Sequence, residues 1–205
     1  ALKLDKYQLI SLSGGNVSLR VDSEHILVTP SGMVYDEMVP EDVLVVNNDG
    51  KIVEGERKAS VDTVALCYIY KNMPNVNSVI HTHHPFPTGL GLVFERIDCD
   101  LTTLANTTKG HVNVAPYSSA ASLEMGVAVV DYIGDSLAVV LKNHGVVTVG
   151  KNLTEALYAA VYLEESAKTL YVAHSLGRPV SKLTENQIQV AVDVFKTYGQ
   201  VPGEH

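Results

Sequence analysis

Three histidines have the setting of metal ligands. His81 and His83 are separated by one residue at the end of an apolar, β-rich segment, and alternate residues of a strand share a face, so their imidazoles are predicted to lie side by side. His144 follows the apolar run 137–141 and precedes Gly145, where another strand is predicted to end. Three histidines with one open coordination position form a catalytic metal site. The alternative, from the residues alone, is a hydrogen-bonded pair of strand histidines.

Two further residues are candidates for proton transfer. A metal centre that polarises a carbonyl group also needs a residue that moves a proton on the adjoining carbon. Asp62 is the candidate carboxylate, although an aspartate in the first turn of a helix is also stabilised by the helix dipole without any catalytic role. Tyr198 carries a phenol that can donate a proton, but spacing alone does not separate it from the other tyrosines among the ten in the chain.

Small residues next to predicted element ends offer amides and hydroxyls of the kind that bind phosphate. These residues are Gly14, Gly15, Asn16, Ser31, Gly32 and Ser60. The alternative for each segment is an ordinary turn, because Asn, Ser, Pro and Gly are also the preferred turn residues.

The composition sets limits on the class of protein. A net charge of −8 and a pI near 5.4 argue against nucleic-acid binding, which would call for a basic face. No apolar run approaches the roughly 20 residues that a membrane span needs. Cys67 and Cys99 are too few for a disulfide framework, which favours a reducing cytoplasm. Residues 1–205 are predicted to form a single domain.

Strands and helices are predicted to alternate without strict βαβ spacing. Strands are predicted over 17–21, 26–29, 76–83, 112–114, 137–141 and 146–149, with a hairpin over 43–46 and 52–53. A long loop is predicted between the strands that end at residue 83 and begin at residue 112. Helices are predicted from the start to about residue 10, from Ser60 to Asn72, over 119–133, and after the capping pairs Asn152 with Glu155 and Thr184 with Gln187. Gly177 and Gly199 are predicted to end these last two helices. His84 is expected on the face of its strand opposite His81 and His83.

Five segments occur in the order found in the class II aldolase and adducin-head family, which the chain resembles over nearly its whole length. They are Ser13-Gly14-Gly15-Asn16-Val17-Ser18, Thr29-Pro30-Ser31-Gly32, Lys58-Ala59-Ser60-Val61-Asp62, His81-Thr82-His83 and Lys142-Asn143-His144-Gly145. The closing stretch Phe195-Lys196-Thr197-Tyr198-Gly199 resembles the C-terminal segment of the L-fuculose-1-phosphate aldolases. The chain begins inside what would be the first helix of the family, so residues before Ala1 are expected.

The resemblance implies a three-layer α/β/α fold around a central, mostly antiparallel β-sheet. It implies Zn²⁺ or another divalent metal ion on His81, His83 and His144, and a homotetramer with active sites between subunits. The implied reaction is cleavage of a phosphorylated ketose, similar to L-fuculose 1-phosphate, into dihydroxyacetone phosphate and a short aldehyde through a metal-stabilised enediolate.

The resemblance also implies roles for single residues. Asp62 is the acid/base, and Tyr198 enters a neighbouring subunit's active site and exchanges a proton with the aldehyde-side oxygen. The phosphate is bound by Gly15, Asn16, Ser31, Gly32 and Ser60.

Departures from the aldolase pattern leave other activities of the family open. Asp62 stands where fuculose-type aldolases have Glu and L-ribulose-5-phosphate 4-epimerases have Asp, so epimerisation, dehydration or decarboxylation of a related sugar phosphate is the alternative. Asn106 replaces an aspartate that the epimerases take from a partner subunit, which argues against that mechanism. Val61 stands where the usual pattern has a second phosphate-binding serine, and Thr102 stands roughly where the fuculose enzymes have a tyrosine. These two replacements predict that the preferred sugar differs from fuculose phosphate. A further alternative is a non-enzymatic assembly module like the adducin head, which lacks the metal-binding histidines. The presence of all three histidines in this chain argues against that alternative.

Overall fold

The computed structural model describes residues 1–196, and a nine-stranded sheet runs through its centre. The strands are β1 (Gly15–Arg20), β2 (His25–Val28), β3 (Leu44–Asn47), β4 (Ile52–Glu54), β5 (Ser78–Thr82), β6 (Arg96–Ile97), β7 (Val112–Ala115), β8 (Ala138–Leu141) and β9 (Gly145–Gly150). Their order is β4-β3-β2-β1-β5-β9-β8-β7-β6. Within residues 1–196, β7 and β8 are the one parallel pair, so the predicted mostly antiparallel sheet is confirmed.

Helices cover both faces of the sheet. They are α1 (Leu2–Lys6), α2 (Thr63–Asn72), α3 (Pro85–Val93), α4 (Thr102–Thr108), α5 (Leu123–Ile133), α6 (Leu153–Ser175) and α7 (Glu185–Phe195). Val139 and Leu141 of β8 pack with α2 and α5, whereas the alternate residues Ala138 and Val140 pack with α3, α4, α6 and α7. This alternation is the period of two of a strand buried on both faces, and it confirms the three-layer α/β/α fold.

The capped ends of α6 and α7 follow local sequence signals. Asn152 accepts a hydrogen bond from the amide of Glu155, but the Glu155 carboxylate accepts from Lys151 rather than closing a reciprocal box. Thr184 and Gln187 form the full reciprocal box. Gly177, at φ 63°, follows the end of α6, while Gly199 lies outside the described residues. Each helix within residues 1–196 lacks either the length or the apolar character that a bilayer span requires.

Several predicted boundaries are wrong near the candidate site. Gly15 and Asn16 belong to β1 instead of the preceding loop. The second helix begins at Thr63, with Asp62 rather than Ser60 at its N-cap position, and the helix predicted from residue 119 begins at Leu123. Asp62 uses its carboxylate in long-range contacts, described below, instead of capping its own helix. The helix α5 has a local cap, but it is Ser122, which accepts a hydrogen bond from the amide of Met125. The opening helix ends at Lys6, since Gln8 takes a positive φ of 57°.

Two helices occupy a region predicted as a long loop. The sequence of α3 contains two prolines and two glycines in nine residues, a composition that disfavours helix. Pro85 stands at the first helical position, where its missing N–H costs nothing. Gly91 lets the helix approach β8, because a Cβ there would lie 2.6 Å from Val140 Cγ1. Tertiary packing against the sheet therefore decides the conformation.

Candidate metal centre and active site

The candidate site lies at one end of β5, on the face of the sheet that α2 and α5 cover. Val79 packs in the core under these helices, and His81, two residues later, projects from the same face. Asn16 of β1 pairs directly with His81 across the antiparallel ladder. Asp62 at the N-cap of α2 and Ala121 just before α5 bond to each other near His83, so the site combines the ends of central strands with two helix N-termini.

The three histidines predicted as metal ligands come together. His81 is the next-to-last residue of the buried strand β5, His83 lies one residue beyond the end of that strand, and His144 sits in the tight turn between β8 and β9. The Nε2 atoms of His81 and His83 are 3.0 Å apart. The ring of His144 is centred 4.8 Å from that of His81 and 5.3 Å from that of His83. One ligand atom from each residue fits within a 4.8 Å span.

Hydrogen bonding and burial set the protonation of the cluster. His81 Nδ1 is 2.9 Å from the carbonyl oxygen of Val146, so Nδ1 carries the hydrogen and the lone pair of Nε2 faces the other two rings. Burial, with the neighbouring His83 and His144, lowers the pKa of His81 to about 3. Burial also lowers the pKa values of His83 and His144, against the attraction of the Asp62 carboxylate. Neutral imidazoles are the form that binds a metal ion.

The donor set fits a divalent transition metal. Two nitrogens bound at about 2.0–2.1 Å to a tetrahedral zinc ion lie about 3.3 Å apart, close to the 3.0 Å between the Nε2 atoms of His81 and His83. His144 Nδ1 is buried and finds no hydrogen-bond partner among residues 1–196. The carbonyl of Val146 holds His81 in one tautomer, as the outer partner of a metal-binding histidine does.

Two glycines let the backbone pack against the imidazoles. A Cβ on Gly145 would lie 2.8 Å from Cδ2 of His83 and would also collide with the carbonyl of Thr82. Gly15 takes a φ of +143°, and a Cβ there would overlap the carbonyl oxygen of His81. Any larger residue at these positions would push apart the strands that carry the cluster.

His84 lies outside the cluster, but it is not a strand residue as predicted: β5 ends at Thr82, and His84 is the N-cap residue of α3. Its Nδ1 is 2.7 Å from the hydroxyl of Thr82, and the side chain is fully buried. Burial is the main cause that lowers its pKa to about 3.

Asp62 is held beside the histidines by two donors from distant parts of the chain. Asn16 Nδ2 donates to its Oδ2 at 2.8 Å, and the amide of Ala121 donates to its Oδ1 at 3.0 Å. The side chain makes no cap bond to its own helix. Ala121 was expected within a helix, so its role was not predicted. A backbone amide can donate from any residue type, and the sequence therefore carries no specific signal for it. The small residues from Ser118 to Ser122 indicate only that the backbone there can approach another group closely.

The segments predicted to bind phosphate converge beside Asp62. Pro30 and Ala59 form an isolated β-bridge, and the amide of Ser31 donates to the carbonyl of Lys58 at 2.8 Å. The turn with Ser31 and Gly32 therefore lies next to Ser60, whose hydroxyl accepts from the Asp62 amide. Ser31 and Gly32 are exposed, and Gly15 and Asn16 approach from β1. Tyr198 lies outside the described residues.

Comparison with known proteins identifies the family. Residues 1–171 match the model described as the class II aldolase and adducin N-terminal domain. The chain belongs to this class II aldolase family. It is 35% identical over 164 residues to the L-fuculose phosphate aldolase of Methanococcus maripaludis strain C7, covering 80% of this chain and 88% of the relative. It is 30% identical to the 5-deoxy-D-ribulose 1-phosphate aldolase of Bacillus thuringiensis serovar kurstaki, covering 92% of this chain and 88% of the relative.

Solved structures support the same conclusion for this class II aldolase family member. An L-fuculose 1-phosphate aldolase superposes with a TM-score of 0.88 at 26% identity, covering 95% of this chain and 92% of that structure. The L-fuculose-1-phosphate aldolase of Thermus thermophilus gives a TM-score of 0.73 at 30% identity, covering 85% of this chain and 90% of that structure. The resemblance read from the sequence motifs is confirmed at the level of the family.

Proposed function

We propose that this protein is a metal-dependent aldolase that cleaves a ketose 1-phosphate, similar to L-fuculose 1-phosphate, into dihydroxyacetone phosphate and a short aldehyde. The observation that carries the proposal is the cluster of His81, His83 and His144 with the Asp62 carboxylate beside it, in a chain of the class II aldolase family. An assembly module without enzymatic activity has no need of such a cluster.

His81, His83 and His144 are the residues that hold the metal ion, and we propose zinc for it, because three imidazoles are ligands that zinc accepts. A divalent ion there supplies Lewis acidity, which stabilises negative charge on the substrate oxygens. In the cleavage direction the phenolate form of Tyr198 accepts the proton of the C4 hydroxyl as the C3–C4 bond breaks, and afterwards releases it to solvent. Asp62 in its protonated form then delivers to C3 the proton that completes dihydroxyacetone phosphate, and takes up a new proton from solvent.

The phosphate of the substrate is assigned to the cradle formed by Gly15, Asn16, Ser31, Gly32 and Ser60. The exposed turn of Ser31 and Gly32 offers a hydroxyl and an amide that can bind an anion locally, which suits a chain whose net charge is −8. Tyr198 is assigned to the active site of a neighbouring subunit in a homotetramer. The reduced thiols of Cys67 and Cys99 are consistent with a cytoplasmic location.

A second candidate is 4-epimerisation of a ketose 5-phosphate such as L-ribulose 5-phosphate. The observation that favours it is Asp62, whose carboxylate is one methylene shorter than the glutamate of fuculose-type aldolases. Asn106 opposes it, because an amide is not a proton carrier at neutral pH.

The test is to measure the products from a panel of sugar phosphates. The zinc-loaded protein receives L-fuculose 1-phosphate, 5-deoxy-D-ribulose 1-phosphate and L-rhamnulose 1-phosphate, and release of dihydroxyacetone phosphate is followed with a coupled NADH-consuming enzyme. L-Ribulose 5-phosphate is incubated in parallel and analysed for D-xylulose 5-phosphate. Release from a 1-phosphate supports the aldolase, whereas epimerisation without release replaces it with the second candidate.

A further inference from the structure

Asn16 is a polar side chain buried in the sheet beside the candidate metal centre. Only 1% of its surface is exposed, and it pairs with His81 across the β1–β5 ladder. The burial of an amide is costly unless its polar atoms find partners. The contacts of this side chain therefore indicate what it does.

The contact that Asn16 makes is with the candidate acid/base. Its Nδ2 donates to Asp62 Oδ2 at 2.8 Å across 46 residues of sequence. The chemistry of the pair fixes the orientation of the amide, because an Oδ1 turned toward the carboxylate would set two acceptors against each other. One of the two hydrogens of Nδ2 is thus committed to Asp62.

The other polar atom of the side chain does not suit a phosphate. Asn16 Oδ1 is buried and has no hydrogen-bond partner within residues 1–196. It is an acceptor, as are the oxygens of a phosphate dianion, so this atom cannot bind that group, and the second hydrogen of Nδ2 is the one side-chain donor that Asn16 has left for a phosphate. It can accept a hydrogen from a hydroxyl group of a substrate.

A second hydrogen bond, from the amide of Ala121, holds the other oxygen of the Asp62 carboxylate. The Ala121 amide reaches Oδ1 at 3.0 Å while Asn16 reaches Oδ2, so each carboxylate oxygen is held from a different side. Ala121 adopts a φ of +56°, a conformation that a residue with a Cβ seldom takes. The loop before α5 is therefore strained at the residue whose amide grips the carboxylate.

We propose that Asn16 is a positioning residue for Asp62: it fixes the plane of the carboxylate against the Ala121 amide, and this, more than phosphate binding, is its contribution to turnover. The inference rests on the proposed function, in which Asp62 moves a proton. A carboxylate with two fixed donors keeps free lone pairs in one orientation only, which suits proton transfer at one carbon of a bound substrate.

The first test needs no substrate. In Asn16→Ala the Asp62 carboxylate loses one of its two donors, so the Ala121 amide, which bonds to the same carboxylate, is expected to exchange its hydrogen with solvent at least about tenfold faster by NMR. Ser31→Ala, a change in the exposed phosphate turn, is expected to leave this rate unchanged. An unchanged Ala121 exchange rate in Asn16→Ala overturns the proposal whatever the activity.

The second test separates positioning from phosphate binding. Asn16→Ala is expected to lower kcat by roughly 10–100-fold, the usual effect of removing an outer partner of a metal or catalytic group. The dissociation constant for inorganic phosphate should change less than about twofold, whereas Ser31→Ala should weaken phosphate binding more than it lowers kcat. Weaker phosphate binding by Asn16→Ala with an unchanged kcat contradicts the proposal.

Two control variants test whether misfolding, or the loss of any strand asparagine, could produce the same results. Asn16→Ser repeats both measurements with a smaller polar residue if the alanine variant does not fold, and Asn113→Ala removes a strand asparagine whose amide bonds elsewhere, to the carbonyl of Tyr132. If the wild-type protein releases no dihydroxyacetone phosphate, the aldolase assignment fails while the exchange experiment still decides whether Asn16 holds Asp62.

Discussion

At the scale of single residues, the candidate site depends on where burial places polar groups. His81 is 1% exposed, yet its Nδ1 is satisfied by the carbonyl of Val146, so Nε2 is left to face His83 and His144. Asp62 is 6% exposed and receives donors on both oxygens. These side chains are oriented by the fold before any substrate arrives, which is how a pre-organised site is built.

Replacing His83 tests the assignment of the metal ligands. Because His83 lies past the end of β5 and is exposed, His83→Ala should remove a ligand while the fold persists. We expect metal affinity to fall by more than about 100-fold, together with activity. Metal content after loading and dialysis measures this, with His25→Ala, a half-buried histidine paired with Asp22 away from the cluster, as the control. Full metal retention by His83→Ala would exclude His83 as a ligand.

Replacing Asp62 tests the acid/base role apart from the metal. Asp62→Asn keeps the shape of the side chain and an oxygen that can accept from the Ala121 amide, but it cannot carry a proton. The variant should retain its metal and lose turnover by about 10²–10⁴-fold, the usual contribution of general acid–base catalysis. Turnover near that of the wild type would return Asp62 to the role of a residue that stabilises a helix N-terminus.

The residues of the site were predictable to different degrees. The spacing of His81 and His83 by two residues predicts that they lie on the same side of a strand and therefore come together. The two hydrogen bonds that hold the Asp62 carboxylate were not predictable. Their donors, Asn16 and Ala121, lie 46 and 59 positions away in the sequence, and only the strand order and the loop before α5 bring them close.

At the scale of elements, the strands that carry the histidines must approach closely. Gly145→Ala should place a methyl group against His83 and the backbone of Thr82, and we expect a loss of about 1–3 kcal/mol in the free energy of unfolding together with weaker metal binding. Gly89→Ala is the matched control, because a Cβ on Gly89 meets no atom within 4 Å in α3, and alanine there should stabilise by about 0.4–1 kcal/mol. Urea unfolding measures both, and equal stabilities would contradict the packing argument.

The contact between α6 and α3 predicts a dependence on pH. Burial raises the pKa of Glu164, although its oxygen lies 3.7 Å from the Lys168 ammonium. The folded state therefore holds this proton more tightly than the unfolded state, so its stability falls as pH rises from the unfolded pKa through the folded one. Glu164→Gln should stabilise by about 1 kcal/mol at pH 8 and have no effect below the unfolded pKa.

The control for this prediction is the neighbouring residue. Glu165 is exposed and also pairs with Lys168, at 3.1 Å, so Glu165→Gln should change stability little at either pH. Thermal melts at the two pH values compare the variants. A Glu164→Gln protein less stable than the wild type at pH 8 would show that the ionised carboxylate is stabilising.

The elements themselves were predicted where local signals and packing agree. The hairpin of β3 and β4 follows from Asn47-Asn48-Asp49-Gly50, and α7 from its capping box. The helix α3 was missed because its glycines and prolines signal a loop, and the sheet beneath it overrides that signal through the close approach of Gly91. Strand order depends on contacts between distant segments, which no local pattern contains.

At the scale of the whole molecule, the assignment of Tyr198 to a neighbouring subunit predicts complementation. Asp62→Asn and Tyr198→Phe should each be nearly inactive alone. In a fourfold ring assembled from equal amounts of both, about one quarter of the sites combine an intact Asp62 with an intact Tyr198 from the neighbour. Activity of the reassembled mixture is the measurement, and a mixture no more active than its components contradicts shared sites.

The most direct test of the metal-dependent aldolase is the release of dihydroxyacetone phosphate from L-fuculose 1-phosphate and 5-deoxy-D-ribulose 1-phosphate before and after removal of metal. The chelated protein should be inactive, and zinc or another divalent ion should restore release in the wild type but not in His83→Ala. Release that persists after complete removal of metal, or that His83→Ala supports at the rate of the wild type, would contradict a reaction that depends on the three histidines.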